Sequence, residues 1–209
     1  MQIAIVLYPG FTALDVIGPY EVLGRLPEAD VVFVAENPGL ILNDLGSLSV
    51  NVVHGFEEVP KPDIVLVGGG AGQAGQMADG VLHTWLRAVD SSATWMTAVC
   101  TGSLILAAAG VLAGRRATTH WGALEQLAEF GVTPSKERVV IDGHCATGAG
   151  VSAGIDMALT LAGLIAGDRV AQAVQLLIEY DPQPPYEAGS SDAASDEVYD
   201  ALYGLVGPH

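Results

Sequence analysis

Cys100 is the residue whose position in the sequence is best suited to chemistry. It follows the apolar run Trp95–Val99, and a helical pattern begins almost at once after it. Small residues stand two positions before and after it, at Ala98 and Gly102, where a tight turn brings backbone segments together. This strand–turn–helix layout is typical of a nucleophile elbow, and a helix N-terminus behind the sulfur favours thiolate. The alternative is a buried structural cysteine, a common role for a free thiol.

Asp15 is a candidate acid for this cysteine. It lies in an apolar stretch after the run Ile3–Leu7, which predicts the first strand, so it should reach the same sheet edge as Cys100. Facing the thiol, its carboxyl group would be buried, which raises its pKa and lets it donate a proton. The alternative, slightly favoured by the local sequence, is that Asp15 caps a helix that begins at Pro19.

A glycine-rich segment at positions 68–72 follows the predicted strand Ile64–Val67. It lacks the Gly-Lys-Ser/Thr ending of a phosphate loop, and its strand is not the first of a βαβ unit, so the pattern indicates nucleotide binding only weakly. Glycines at this place let the backbone approach a reacting group, and their N–H groups can stabilise developing negative charge.

The histidines add no obvious triad partner for the cysteine. None is followed two residues later by Asp or Glu, the pattern typical of glutamine amidotransferases. His120 follows a short predicted strand, Ala117–Thr119, and either lines the site or serves as a capping or packing residue; both interpretations stay open. The remaining candidates, which are expected at the surface, are His54, His83 and His209.

Short β-branched runs alternate with helical patterns along the chain, which predicts an α/β fold with a mainly parallel sheet. Besides the strands already named, strands are predicted at Val31–Ala35, Leu48–Val53, Val139–Ile141 and Cys145–Thr147, the last two joined by an Asp-Gly turn. Helices are predicted at Pro19–Leu26, Val81–Val89, Ser103–Ala109, Ala123–Phe130, Ala153–Ile165 and Arg169–Glu179. A segment rich in proline and small residues then precedes a last predicted helix, Asp196–Leu205.

The composition excludes several classes of function. The 209 residues carry 8 Lys and Arg against 24 Asp and Glu, a formal net charge of −16. Binding to nucleic acid or to an anionic membrane surface requires clustered basic residues, so neither partner is expected. No apolar run approaches the ~20 residues of a membrane span, and the short apolar start lacks the basic segment of an export signal.

The two cysteines, Cys100 and Cys145, do not make a disulfide framework in a chain of this length. A reducing cytoplasm is therefore the expected location. Cys145 lies in a predicted hairpin strand without a helix N-terminus behind it, so we expect it to be structural. No Cys-x-x-Cys or His-x-x-x-His spacing indicates a metal site.

Several segments together resemble the ThiJ/PfpI superfamily and, within it, the isocyanide hydratases. The segments are Leu14-Asp15-Val16-Ile17-Gly18-Pro19, Gly68-Gly69-Gly70-Ala71-Gly72, Val99-Cys100-Thr101-Gly102-Ser103-Leu104, Arg116-Ala117-Thr118-Thr119-His120-Trp121, Gly150-Val151-Ser152-Ala153-Gly154-Ile155-Asp156 and Glu179-Tyr180-Asp181-Pro182-Gln183-Pro184-Pro185-Tyr186. Asp15 stands where glutamate is commoner across the superfamily. Together with Thr101 directly after the cysteine, it makes the sequence resemble the hydratase branch in particular. Thr101 also replaces the histidine of PfpI-type proteases, which disfavours peptidase activity, and Gly68 stands where the family loop usually has proline.

This resemblance implies a flavodoxin-like three-layer sandwich over residues 1–191, followed by a C-terminal tail over residues 192–209. It also implies a homodimer that needs no metal or organic cofactor. By matching position, Cys100 is the nucleophile, Asp15 the general acid or base, and Thr101 a residue beside the sulfur. The other positions it implicates are Gly70 and Ala71, for backbone support of the intermediate, and His120, Trp121 and Val151, as pocket lining.

The reaction implied by the resemblance is the hydration of an isocyanide to an N-substituted formamide through a thioimidate on Cys100. One alternative is a cysteine-dependent glyoxalase or deglycase of the same fold. Another is a redox or ligand sensor without turnover, because a low-pKa, accessible cysteine also suits a peroxide sensor. A third, the effector-binding half of a transcription regulator, is disfavoured because the charge is unsuited to DNA.

Overall fold

The computed structural model describes residues 1–206 and divides the chain into two units, Met1–Ile178 and Glu179–His209. The first unit holds a seven-stranded sheet flanked by helices, so the predicted α/β class is confirmed. The expected boundary after residue 191 rests on the family resemblance and stays an expectation. No helix within residues 1–206 is long and apolar enough to span a membrane.

The strands of the large sheet are β1 (Gln2–Val6), β2 (Asp30–Ala35), β5 (His54–Gly55), β6 (Ile64–Val67), β7 (Trp95–Val99), β10 (Val139–Asp142) and β11 (Cys145–Gly148). Their order across the sheet is β10-β11-β7-β6-β1-β2-β5, and all neighbouring strands are parallel except β10 and β11, which form an antiparallel hairpin. Two small sheets pair β3 (Gly39–Leu42) with β4 (Ser49–Val52) and β8 (Arg116–Ala117) with β9 (Thr133–Pro134). The central strands are apolar and buried on both faces, as parallel sheets require.

The helices of the first unit are α1 (Ala13–Leu23), α2 (Val81–Asp90), α3 (Gly102–Ala108), α4 (Ala153–Ala166) and α5 (Asp168–Leu177). Short 3₁₀ helices occupy Phe56–Glu58, Ala71–Gln76 and Trp121–Phe130, the last where an α-helix over Ala123–Phe130 was expected. In the second unit, α6 (Asp196–Val206) confirms the predicted final helix. The Ser195 carbonyl accepts the N–H groups of Val198 and Tyr199 at its start.

The prediction of a helix beginning at Pro19 is wrong. Helix α1 begins at Ala13 and contains Pro19, which removes one backbone donor from the helix interior. Close packing against α4 favours the longer helix: a Cβ on Gly154 would lie 3.0 Å from Pro19 Cγ, and one on Gly18 would lie 3.0 Å from Ile155 Cγ1. The apolar burial of α1 thus outweighs the local signal for a late start.

The strand order brings three loops together at one edge of the sheet. Strands β1, β6 and β7 are neighbours and run parallel, so the segments after their carboxyl ends meet. These segments contain Asp15 after β1, the glycines at 68–70 after β6, and Cys100 after β7. The topology therefore explains how residues 15, 69 and 100 reach one site.

Candidate active site

Cys100 occupies a sharp turn between β7 and α3. Its φ of 57° lies in the left-handed region, which costs energy for a residue with a side chain. Three hydrogen bonds hold this turn: the Cys100 N–H donates to Gly148 O (3.0 Å) and Ala149 O (2.8 Å), and Thr119 Oγ1 donates to the Cys100 carbonyl (2.7 Å). The predicted elbow geometry is therefore present.

Two glycines allow the close approach that the elbow requires. A Cβ on Gly102 would lie 2.1 Å from Val67 O, and a Cβ on Gly69 would lie 2.5 Å from Thr101 Oγ1. Both distances are below any normal contact, so no larger residue fits without moving backbone. The sequence correctly indicated the role of Gly102, whereas Gly69 was only one member of a glycine run.

Asp15 lies in the first turn of α1, fully buried, with its carboxyl group turned towards the glycine loop. Its Oδ2 accepts the Gly69 N–H over 2.7 Å. Its Oδ1 is buried and finds no well-aligned donor among residues 1–206, while the Cys100 thiol acts on the same carboxyl group as a hydrogen-bond partner. The N-cap position belongs to Thr12, so the interpretation of Asp15 as the cap of a helix starting at Pro19 is wrong.

Burial raises the pKa of Asp15 to about 6, as expected for a carboxyl group facing a thiol in the interior. The Gly69 N–H and the Cys100 side chain lower this pKa, and the charge of Asp44 raises it. Its value places the protonation change of Asp15 close to neutral pH, where a proton donor or acceptor is most effective.

The expectation that the helix N-terminus makes Cys100 a thiolate is wrong for the free protein. Burial and the charge of Asp15 raise the pKa of the thiol to about 12. The N–H groups of Thr101 and Val151 lower that pKa, but burial outweighs them. Cys100 is therefore a neutral thiol at pH 7, beside a carboxyl group able to take its proton.

The backbone N–H groups of Gly70 and Ala71 were expected to support the intermediate, and the structure gives the two residues different surroundings. The Gly70 N–H donates to Thr101 Oγ1 over 3.2 Å and is therefore already engaged. Ala71 is exposed at the start of a 3₁₀ helix. The N–H groups that act on the sulfur are those of Thr101 and Val151.

His120 caps the following 3₁₀ helix, since its Nδ1 accepts the Gly122 N–H over 3.2 Å. Burial lowers its pKa, and a Cβ on Gly150 would lie 3.1 Å from its ring. The Trp121 ring lies 5.3 Å from that of His120, centre to centre, and is 43% exposed. The capping role is thus present, and the ring also borders the loop that contains Val151.

The structure places Cys145, His83 and His54 outside this site. Cys145 is buried at the start of β11, and burial raises its pKa to about 11, which agrees with a structural thiol. His83 was expected at the surface but is buried, with Nε2 2.8 Å from the Gln76 carbonyl. His54 is partly buried, and His209 falls outside the described residues. Residues 1–206 contain no cluster of three His, Cys, Asp or Glu placed to hold a metal ion.

Sequence reasoning missed two residues next to the acid. The buried Tyr8 donates its hydroxyl hydrogen to Gly68 O over 2.8 Å, and burial together with Asp15 raises the pKa of its phenol. Asp44 accepts the Thr12 hydroxyl over 2.6 Å. Tyr8 could have been found as a polar residue directly after the first strand, whereas nothing in the sequence links Asp44 to residue 15.

Comparisons with a family model, with known proteins and with solved structures indicate the same family. The DJ-1/PfpI family model matches residues 1–163. An isonitrile hydratase from Pseudomonas putida is 44% identical over 208 residues, which span 100% of this chain and 91% of that protein. The HTH-type transcriptional regulator CdhR from Pseudomonas aeruginosa is 32% identical over 173 residues, 79% of this chain and 51% of the regulator.

A solved structure supports the same assignment. A ThiJ/PfpI family protein from Pseudomonas syringae superposes with a TM-score of 0.93 at 37% identity, covering 98% of this chain and 85% of that one. The matched region contains the elbow, the glycine loop and the helix with the buried acid. This chain belongs to the DJ-1/PfpI family.

Proposed function

We propose that this protein is a cofactor-independent isocyanide hydratase, which converts an isonitrile and water to an N-substituted formamide. The observation that carries the proposal is the buried carboxyl group of Asp15, held by Gly69 beside the Cys100 thiol, with a pKa raised to about 6. An isocyanide carbon must gain both a proton and a nucleophile, and this pair supplies both. Full-length similarity to the Pseudomonas putida isonitrile hydratase supports the same substrate.

The first step transfers the one proton of the resting pair. At neutral pH that proton is on sulfur, because the pKa of Cys100 is raised to about 12 and that of Asp15 only to about 6. The Asp15 carboxylate removes the proton as Sγ bonds to the terminal carbon of R–N≡C. Asp15 then delivers the same proton to that carbon, which gives the thioimidate Cys100–S–CH=N–R.

The second step consumes water. Its oxygen bonds to the thioimidate carbon, and one of its protons passes through Asp15 to the nitrogen. The tetrahedral species then breaks its carbon–sulfur bond, the hydroxyl proton returns to Cys100, and R–NH–CHO leaves. Atoms and charge balance without an oxidant, a reductant or a metal ion.

Backbone donors support the sulfur during these transfers. The N–H groups of Thr101 and Val151 already lower the pKa of Cys100, so they favour negative charge on Sγ as its proton departs. The Thr101 hydroxyl holds the Gly70 N–H and thereby fixes the glycine loop against the elbow. We assign His120 and Trp121 to the wall that receives the R group, because the His120 ring borders the loop containing Val151.

The sensor alternative is disfavoured by the same geometry. Cys100 is only 6% exposed and its thiol pKa is raised, whereas peroxide sensors use exposed thiolates of low pKa. The glyoxalase or deglycase alternative uses the same nucleophile and differs in substrate. A parallel assay with methylglyoxal separates it, since turnover of that aldehyde faster than that of any isocyanide would overturn the hydratase assignment.

The test of the proposal is turnover of cyclohexyl and aryl isocyanides, followed through formation of the formamide. We expect Cys100→Ala to lose at least about 10³-fold in rate, because the covalent path requires the sulfur. Cys145→Ala is the matched control and should keep nearly full turnover, since that thiol lies outside the site. Mass spectrometry of acid-quenched protein should show the isocyanide adduct on Cys100, and equal turnover in both variants would refute the mechanism.

We propose further that the protein is a cytoplasmic homodimer formed through the β3–β4 hairpin. Across residues 39–53 the only charged residue is Asp44, in a chain of net charge −16. Two chains of this charge repel each other least through a surface that carries few acidic residues, and the hairpin is such a surface. It also exposes three apolar side chains, Leu40, Leu42 and Leu45. Light scattering should report twice the chain mass of 21.5 kDa, and Leu40→Lys with Leu42→Lys should give monomers. A wild-type monomer at micromolar concentration would contradict this assembly.

A further inference from the structure

One peptide group of the glycine loop has a hydrogen bond at both of its ends. The Tyr8 hydroxyl donates to Gly68 O over 2.8 Å, and the Gly69 N–H donates to Asp15 Oδ2 over 2.7 Å. The Gly68 carbonyl and the Gly69 N–H belong to the same planar peptide group. A continuous chain of hydrogen bonds therefore runs from the phenol to the carboxylate that faces Cys100.

The orientation of this peptide group is not fixed by its own residues. Glycine accepts a wide range of backbone angles, and positions 68, 69 and 70 are all glycine. The next peptide group has its own anchors, because Gly69 O accepts the Thr12 N–H over 2.8 Å and the Gly70 N–H donates to Thr101 Oγ1. Tyr8 is the side chain that holds the Gly68 carbonyl.

We propose that Tyr8 is a positioning residue of the active site, whose hydroxyl orients and polarises the Gly68–Gly69 peptide group so that the Gly69 N–H holds the Asp15 carboxylate beside Cys100. Only the predicted effect of Tyr8 on turnover rests on the proposed function. A hydrogen bond to a carbonyl strengthens the N–H of the same peptide as a donor, because such chains polarise one another. A stronger N–H donor stabilises the carboxylate form of Asp15.

Tyr8 remains a donor throughout the working pH range, since burial and the charge of Asp15 raise the pKa of its phenol. The groups that face Asp15 are the Cys100 thiol, the Gly69 N–H and the more distant Asp44 carboxylate. Removing the Tyr8 hydroxyl leaves the thiol and Asp44 unchanged. It weakens the Gly69 N–H as a donor and frees its peptide group to rotate, so the pKa of Asp15 should rise.

The first test is the pH dependence of isocyanide turnover in Tyr8→Phe. We expect kcat at pH 7 to fall about three- to tenfold, the worth of one hydrogen bond, with little change in KM because the buried phenol bonds to the Gly68 carbonyl. The acid limb of the profile should move to higher pH. Tyr186→Phe is the matched control, since that side chain is 81% exposed and its loss should leave the profile unchanged.

The second test does not depend on turnover. Infrared difference spectra report the carboxyl band of Asp15, and its midpoint can be compared between Cys100→Ala and Cys100→Ala with Tyr8→Phe. The midpoint should be higher in the double variant. 3-Fluorotyrosine at position 8 keeps the ring and the hydroxyl but is a stronger donor. In the Cys100→Ala background it should lower the Asp15 midpoint relative to Cys100→Ala alone. This replacement provides the test if Tyr8→Phe folds poorly.

These measurements separate the two proposals. Absence of isocyanide turnover in the wild-type protein would overturn the proposed function while the infrared midpoints still test Tyr8. Identical midpoints in all backgrounds, or a shift opposite to the one stated, would overturn the role of Tyr8. A fall in kcat with an unmoved midpoint would likewise overturn it, because a merely structural tyrosine predicts that result.

Discussion

The Thr12 hydroxyl donates a hydrogen bond to the Asp44 carboxylate over 2.6 Å, joining the N-cap of α1 to the turn of the β3–β4 hairpin. Backbone bonds reinforce the junction, since the Asp44 N–H donates to Phe11 O (2.9 Å) and the Gly10 N–H to Leu42 O (2.9 Å). The exposed hairpin therefore reaches the helix that holds Asp15. Asp44 also raises the pKa of Asp15 through its charge.

Asp44→Asn should move the acid limb of isocyanide turnover to lower pH. The variant keeps an oxygen that can accept the Thr12 hydroxyl but removes the charge that raises the pKa of Asp15. Profiles of kcat/KM against pH for Asp44→Asn and the wild type measure this shift.

The control for this experiment is Asp30→Asn, which makes the same change in net charge at the opposite end of the sheet. Its profile should match that of the wild type. Thr12→Val should leave the acid limb of the pH profile in place while lowering kcat, because it removes the hydrogen bond to Asp44 but keeps the Asp44 charge. Coincident profiles for Asp44→Asn and Asp30→Asn would contradict the coupling.

Asp15→Asn should stabilise the folded protein at pH 7. A carboxyl group whose pKa rises from 3.8 to about 6 on folding binds its proton more tightly in the folded state, so the free energy of unfolding falls as pH rises between those values. The full cost above pH 6 is about 3 kcal/mol at 1.36 kcal/mol per pKa unit. Urea unfolding should show a gain of about 1–3 kcal/mol at pH 7 and little at pH 4. An equal gain at both pH values would contradict the assignment.

Gly69→Ala should disrupt the site, and Gly75→Ala should not. A Cβ at Gly69 would lie 2.6 Å from the backbone nitrogen of Thr101, so the elbow or the loop must move. A Cβ at Gly75 would meet no atom within 4 Å beyond its own neighbours along the chain, which makes that position a matched control. We expect Gly69→Ala to lose at least about 10²-fold in turnover, in line with small displacements of catalytic groups. Turnover in the two variants, each checked by circular dichroism, measures the difference.

Local sequence patterns predicted the parts of this site that a single segment determines. The elbow at Cys100 follows from a strand, small neighbours and a helix start, and Ile64–Val67 and Trp95–Val99 are strands with the predicted bounds. Helix α1 was mispredicted because Pro19 gives a strong local start signal, while its earlier residues are helical through packing on α4. Tertiary packing outweighs propensity there.

Long-range electrostatics could not be predicted from the sequence. The helix N-terminus behind Cys100 correctly indicates N–H donors near the sulfur, but the sign of the pKa shift depends on burial and on Asp15, 85 positions earlier in the chain. The Tyr8–Gly68 and Thr12–Asp44 hydrogen bonds similarly join segments whose proximity only the strand order and the hairpin determine.

Asp15→Glu should keep a folded protein but lose most isocyanide turnover. Asp15 is fully buried, and a Cβ placed on Gly68 would lie 3.0 Å from Asp15 Cβ, so an added methylene has little room and displaces the carboxyl group from the sulfur. Proton delivery to the isocyanide carbon requires a separation of ~2.6–3.2 Å, which this displacement breaks. Asp15→Asn should lose nearly all turnover, because an amide neither removes the thiol proton nor returns it. Formamide production in both variants measures the loss, and turnover by Asp15→Asn close to the wild-type rate would show that the acid lies elsewhere.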